Sequence, residues 1–137
     1  ARLGDVLSDL GRHREAASAF GQALALVGAG QPGPEPWILH LLRGGELEQA
    51  EQWSEAKAAL EASLALAPDN PLVLNYLGYA KLERGENLDR AEQLIAKASA
   101  LAPDNASITD SLGWAQFKRG RVEEAIGTLQ RAAAKDP

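Results

Sequence analysis

The sequence predicts an all-α solenoid, a stack of antiparallel helix pairs, on three observations. Alanine, the strongest helix former, occurs 26 times in 137 residues, while aromatics make up only 5%. The segment Ala67-Pro68-Asp69-Asn70 returns as Ala102-Pro103-Asp104-Asn105, 35 residues later, and Pro137 follows Pro103 by 34. Between these prolines the same ladder of small and apolar residues recurs in register, and such a period marks stacked supersecondary units.

The ladder sets the elements in order. Leu3-Gly4, Gly11, Ala16, Phe20 and Ala23 fit a first unit, truncated by the chain start, with helices near 2–10 and 13–27 and His13 in the turn between them. Gly28 to Glu35 holds three glycines and two prolines, which makes it a loop: a lengthened connection, or else a hinge or partner-contacting excursion. A second unit spans about 36–70, with helices near 36–50 and 53–66, Gly44 on its glycine rung, anchors Ala56, Leu60 and Pro68, and Glu51-Gln52 instead of a glycine in its turn. The third, about 71–105, has helices near 71–84 and 88–101; the fourth, about 106–137, near 106–119 and 122–135. Leu77-Gly78 matches Leu112-Gly113, Gly85 matches Gly120, Ala91 matches Ala125, Ile95 matches Leu129 and Ala98 matches Ala132, with a one-residue insertion at or near Asn87.

Each rung has a physical reason. Gly78 and Gly113 let a second helix cross closely. Gly85 and Gly120 suit a left-handed C-cap. Ala91 and Ala125 fall where the helices of one unit touch and a larger residue would overpack. Asp-Asn before Pro71 supplies an N-cap and a first-turn proline.

Leu-Gly, then Gly, then Ala-x-x-x-(Phe/Leu)-x-x-Ala, then Pro resembles the tetratricopeptide repeat (TPR) over nearly the whole chain, and it recurs in register. The resemblance implies a right-handed TPR superhelix with the first helix of each repeat lining a concave groove. Lys81 and Gln116 stand where the family has an aromatic late in the first helix. The signatures Asn75-Tyr76-Leu77-Gly78-Tyr79 and Asp110-Ser111-Leu112-Gly113-Trp114 also resemble TPR proteins of bacterial envelopes. Compartment stays open between cytoplasm and bacterial periplasm. The chain lacks an initiator Met and a capping helix, so a longer protein, with a cap or further repeats, is expected.

Composition narrows the function. The net charge of −5, without a basic block, argues against nucleic acid or an anionic membrane as partner. No apolar run reaches the roughly 20 residues that span a membrane. The absence of cysteine removes disulfides, cysteine nucleophiles and cysteine metal sites. His13 and His40 are the only histidines, 27 residues apart, and no metalloprotease, nucleophile-elbow or phosphate-loop spacing occurs. The expectation is a protein that is not an enzyme, with no catalytic, cofactor or metal site, which binds a protein or peptide. The alternative is a regulatory or oligomerisation arm of a larger protein, including self-association through uncapped ends.

By the resemblance, the groove positions are Ile38, Leu41, Gly45, Glu48 and Gln49 in repeat two; Leu72, Asn75, Tyr79, Leu82 and Glu83 in repeat three; and Ser107, Asp110, Trp114, Phe117 and Lys118 in repeat four. The partner-binding set is drawn from these as Asn75, Tyr79, Leu82, Asp110, Trp114 and Phe117. Tyr79 and Trp114 serve equally well as interface anchors or as packing between repeats, and Phe117 is assigned first to packing. The carboxylate clamp used by some TPR domains is disfavoured: its positions hold Leu72, Asn75 and Tyr76, then Ser107, Asp110 and Ser111, and Asp110 would repel a carboxylate.

Overall fold

Prolines, asparagines and glycines mark the ends of nearly every helix. In the computed structural model the described residues are 3–136, with side chains from Asp9 onward. They form seven helices and no strand: α1 (Leu3–Gly28), α2 (Pro36–Gln49), α3 (Trp53–Leu66), α4 (Pro71–Arg84), α5 (Leu88–Leu101), α6 (Ala106–Lys118) and α7 (Val122–Lys135). Asn70 caps α4, its Oδ1 accepting from the backbone N–H of Leu72 at 2.9 Å, and Asn105 caps α6 by accepting from Ile108 at 3.0 Å. Gly85 and Gly120 take left-handed φ of 65° and 82° after α4 and α6. After α2, where no glycine is present, Glu51 takes the left-handed conformation itself, at φ 60°.

The chain divides into two compact units, residues 1–67 and 68–137. In the first, α1 packs on α2 and α2 on α3. Its core joins Ala17, Leu47, Ala56 and Ala59, with Trp53 against them. The Ser63 hydroxyl donates to the Trp37 carbonyl at 2.8 Å, stitching α3 to the start of α2. In the second, α4 packs on α5, α5 on α6 and α6 on α7, and α4 also touches α6. Its core includes Leu82, Ala91, Ile95 and Ala115. Asp89 and Glu92 on α5 hold Arg119 just past α6, and Glu92 also holds Arg121.

The glycine rungs act as the spacing implies. A Cβ on Gly78 would lie 2.7 Å from the Ile95 side chain and 3.0 Å from the Ala91 carbonyl oxygen; one on Gly113 would lie 2.7 Å from the Leu129 side chain. Gly44 meets Leu60 at the same distance, so one device repeats in both units.

The predicted break after Gly11 is absent. α1 is one helix of 26 residues. Gly11 has no left-handed φ, no proline follows it, and helix-forming Arg12, Arg14, Glu15 and Ala16 continue beyond. An Arg12–Asp9 ion pair bridges that point along the helix. His13 is therefore a helical residue, not a turn residue. Ala17 rather than Ala16 enters the core; Ala16, Phe20 and Ala23 are half-buried. The side chains of Leu3 and Gly4, and Pro137, lie outside the described residues.

The loop after α1 is ordered by its own turn. Gly30 adopts φ 93°, and the Gln31 N–H donates back to the Leu26 carbonyl at 3.0 Å, closing the helix end. Pro32, Gly33 and Pro34 then fold over Ala23, Leu26 and Val27.

Candidate functional site

The periodicity of α6 divides its residues cleanly. Ile108, Thr109, Ser111, Gly113, Ala115 and Gln116 are buried. Ser107, Asp110, Trp114, Phe117 and Lys118 are exposed and follow one another at helical spacing, so they form one outward stripe. All five are sequence-predicted groove positions. Trp114 and Phe117 stack with ring centroids 5.4 Å apart and planes 15° off parallel. The Lys118 ammonium sits 5.6 Å from the centre of the Trp114 ring, a cation–π distance. Trp114 is 37% exposed and Phe117 48%. The assignment of Phe117 to packing between repeats is corrected: its neighbour is Trp114 on the same helix, and half its surface is open.

α4 contributes less uniformly. Leu72 and Tyr79 are 58% and 41% exposed, and Glu83 is exposed. Asn75 is half-buried, and its Oδ1 is buried without a hydrogen-bond partner. Leu82 does not reach a partner. It is 0% exposed and packs with Ala91, Ile95 and Ala115. Its place in the binding set is withdrawn, because α5 and α6 close over that position. Within this unit Tyr79, Asp110, Trp114 and Phe117 are exposed and Asn75 is half-buried.

In the other unit, Ile38, Leu41, Gly45 and Glu48 are half-buried, and only Gln49 of the predicted positions is exposed. His13 meets Glu46 there, Nδ1 to Oε2 at 2.6 Å, across α1 and α2. His40, on α2, is half-buried with its Nδ1 unpartnered. Burial first, and Arg43 second, hold its pKa below the ordinary histidine value. Among the described residues no three His, Asp or Glu side chains gather as metal ligands. No helix among the described residues is long and apolar enough to cross a membrane.

Comparisons with known proteins bear on the fold and the family. The family model described as tetratricopeptide repeat matches residues 2–45, 41–106 and 82–137. A search of curated protein sequences finds no match. Among solved structures, the chain is similar to MamA from Desulfovibrio magneticus RS-1 (TM-score 0.76, 23% identity, covering 95% of this chain and 70% of that one). It is similar to MamA of MSR-1 (TM-score 0.67, 24% identity, 97% and 78%). It is also similar to the globular C-terminal domain of P. aeruginosa LpoP (TM-score 0.66, 24% identity, 74% and 99%). At these identities the likeness is one of fold.

Proposed function

Because the chain belongs to the tetratricopeptide repeat family, whose fold serves as a protein-interaction scaffold, we propose that it holds a peptide segment of a protein partner on the α4 and α6 face of residues 68–137. The observation that carries this reading is the outward stripe of α6, where Trp114 and Phe117 stand open beside the polar Asp110 and Ser107. Tyr79 of α4 adds a third open aromatic. Large side chains with an apolar body are the usual anchors of interfaces.

A random peptide display library selected on the folded chain supplies ligands for the test. Replacing Tyr79 and Trp114 by Ala is expected to weaken the selected peptides by about tenfold or more, the scale of one interface anchor. Ligands that bind each folded molecule as tightly after both substitutions would remove the reading.

A second reading, an oligomerisation arm, has one observation in its favour: Val122 and Ile126 are exposed on α7. Light scattering of the isolated chain reads it directly, since self-association would raise the mass with concentration.

A further inference from the structure

We propose that the straight α1 is the open form of a hinge at Gly11, and that residues 3–10 fold back about it to pack against Ala16, Phe20 and Ala23 of the same helix and Leu42 of α2. The hinge is independent of the peptide-binding reading above, since it lies wholly within residues 1–67.

One spacing builds the other repeats. Gly44 lies against Leu60 and Gly113 against Leu129, each sixteen residues on. Gly78 lies against Ile95, one residue further because of the insertion near Asn87. The same step from Gly4 reaches Phe20. In one straight helix those two positions stand roughly 24 Å apart along the axis and about 160° apart around it. They do not meet within a continuous α1. Two straight copies paired antiparallel do not make both contacts either, because the two positions do not share a face. A turn between them brings them together, as in the other three repeats.

The place for that turn is seven residues past each glycine rung. Glu51, Gly85 and Gly120 stand there, and all three take left-handed φ, of 60°, 65° and 82°. Gly11 is the fourth member of the set. Glycine enters that region without the steric cost that a side chain brings, and Glu51 enters it in spite of that cost. A Cβ on Gly11 would meet nothing within 4 Å, so no neighbouring group holds the helix straight there. His13 stands at the place where Val122 begins α7, and its Nδ1 meets Glu46 of α2 at 2.6 Å. That contact anchors α1 just past the hinge, so only the stretch before it has to move.

The surfaces that the turn would bring together are open. Ala56, Ala91 and Ala125 are at most 1% exposed, and Ser63, Ala98 and Ala132 at most 5%. Their counterparts Ala16 and Ala23 are half-buried, as is Phe20. On α2, Leu42 is 43% exposed, whereas Ser111, at the matching place on α6 where that helix meets α4, is buried. This openness comes from α1 running straight through Gly11. The stretch that would cover these residues is already in the chain and carries Leu3-Gly4 in register with Leu77-Gly78 and Leu112-Gly113. Closing gives up the helical hydrogen bonds that span Gly11 and the exposed Arg12–Asp9 pair, and encloses apolar surface in exchange.

The chain has no cysteine, so spin labels can be placed through Asp5→Cys and Gln22→Cys alone. The straight helix sets those backbones roughly 26 Å apart, and the closed form sets them on neighbouring helices at about 10 Å. Electron paramagnetic resonance of the doubly labelled chain is expected to show a narrow short-distance population beside the long one. Gly11→Ala, with circular dichroism confirming that it is folded, is expected to reduce the short population about fivefold, because alanine favours helix and resists the left-handed turn. Dilution with excess unlabelled chain is expected to leave it unchanged. A single long distance, a broad spread such as a frayed helix end gives, or a short population that Gly11→Ala leaves intact would overturn the proposal. A short population lost on dilution would mean that residues 3–10 of a second copy fill the place, and would overturn it as well.

Discussion

Repeat three and repeat four share a ladder and differ in what they place on it. Leu74 and Leu94 are buried between α4 and α5; their counterparts between α6 and α7 are Thr109 and Thr128, equally buried. Lys81 corresponds to Gln116, both buried, and Leu82 to Phe117, one enclosed and the other half open. Repeat four is tolerated because its buried polar groups bond one another. The Thr128 hydroxyl donates to Gln116 Oε1 at 2.6 Å, Arg131 donates to Thr128 at 3.1 Å, and the Thr109 and Ser111 hydroxyls each donate to a backbone carbonyl one turn earlier. The lesson is that glycine and alanine rungs set the helix spacing, while the residues between them are free to carry either core or chemistry.

That comparison breaks most readily at Leu82. Leu82→Ala is expected to cost about 2–5 kcal/mol in urea unfolding, as for other enclosed leucines, with peptide affinity per folded molecule unchanged. Phe117→Ala at the matching place is expected to show the reverse: little loss of stability and weakened binding.

The next effect distinguishes the two glycine rungs. Gly78→Ala pushes a methyl against the Ala91 carbonyl, which is backbone, as well as against Ile95; Gly113→Ala meets chiefly the movable Leu129 side chain. Overpacking costs about 1–3 kcal/mol, and alanine's better helix propensity returns up to ~1 kcal/mol. Gly78→Ala is therefore expected to destabilise clearly and Gly113→Ala to come near neutral. Equal losses would show that side-chain relaxation does not decide the matter.

The polar interior of repeat four predicts a non-additive effect of similar size. Thr128→Val leaves the buried Gln116 amide without its partner, at about 1–3 kcal/mol. Adding Gln116→Leu is expected to recover most of that loss, because an apolar pair leaves nothing unsatisfied.

The smallest effect concerns the other unit. The folded-state pKa of His40 is lowered, so the unfolded chain takes up this proton first as the pH falls below about 6.5. Its contribution to stability is present above that pH and declines as the pH drops toward the folded value. The melting temperature of wild type should fall more than that of His40→Gln between pH 7.5 and 5.5; parallel curves would contradict it.

Most of the fold was legible because its constraints are local and repeated. Ala-Pro-Asp-Asn, the Asn70 and Asn105 caps, and Gly85 and Gly120 each act on the backbone within a turn of themselves. The continuous α1 was not legible, since the expected break relied on Gly11 matching the ladder while nothing around it stops a helix. Leu82 failed for the opposite reason: its position on α4 is groove-like by register, yet its burial is decided by where α5 and α6 cross. The exposed positions of α6 were legible through the family resemblance, but the Trp114–Phe117 stack was not, since Phe117 was assigned to packing between repeats. The His13–Glu46 contact was not legible either, because the partners are 33 residues apart and His13 was expected in a turn.

The most direct test of where this scaffold binds is to titrate a library-selected peptide into the isotopically labelled chain and follow backbone amide shifts. The α4 and α6 face predicts the largest changes at Asn75, Tyr79, Asp110, Trp114 and Phe117, with α1 and α2 still. Changes confined to α1 and α2, or centred on Val122 and Ile126 of α7, would contradict it.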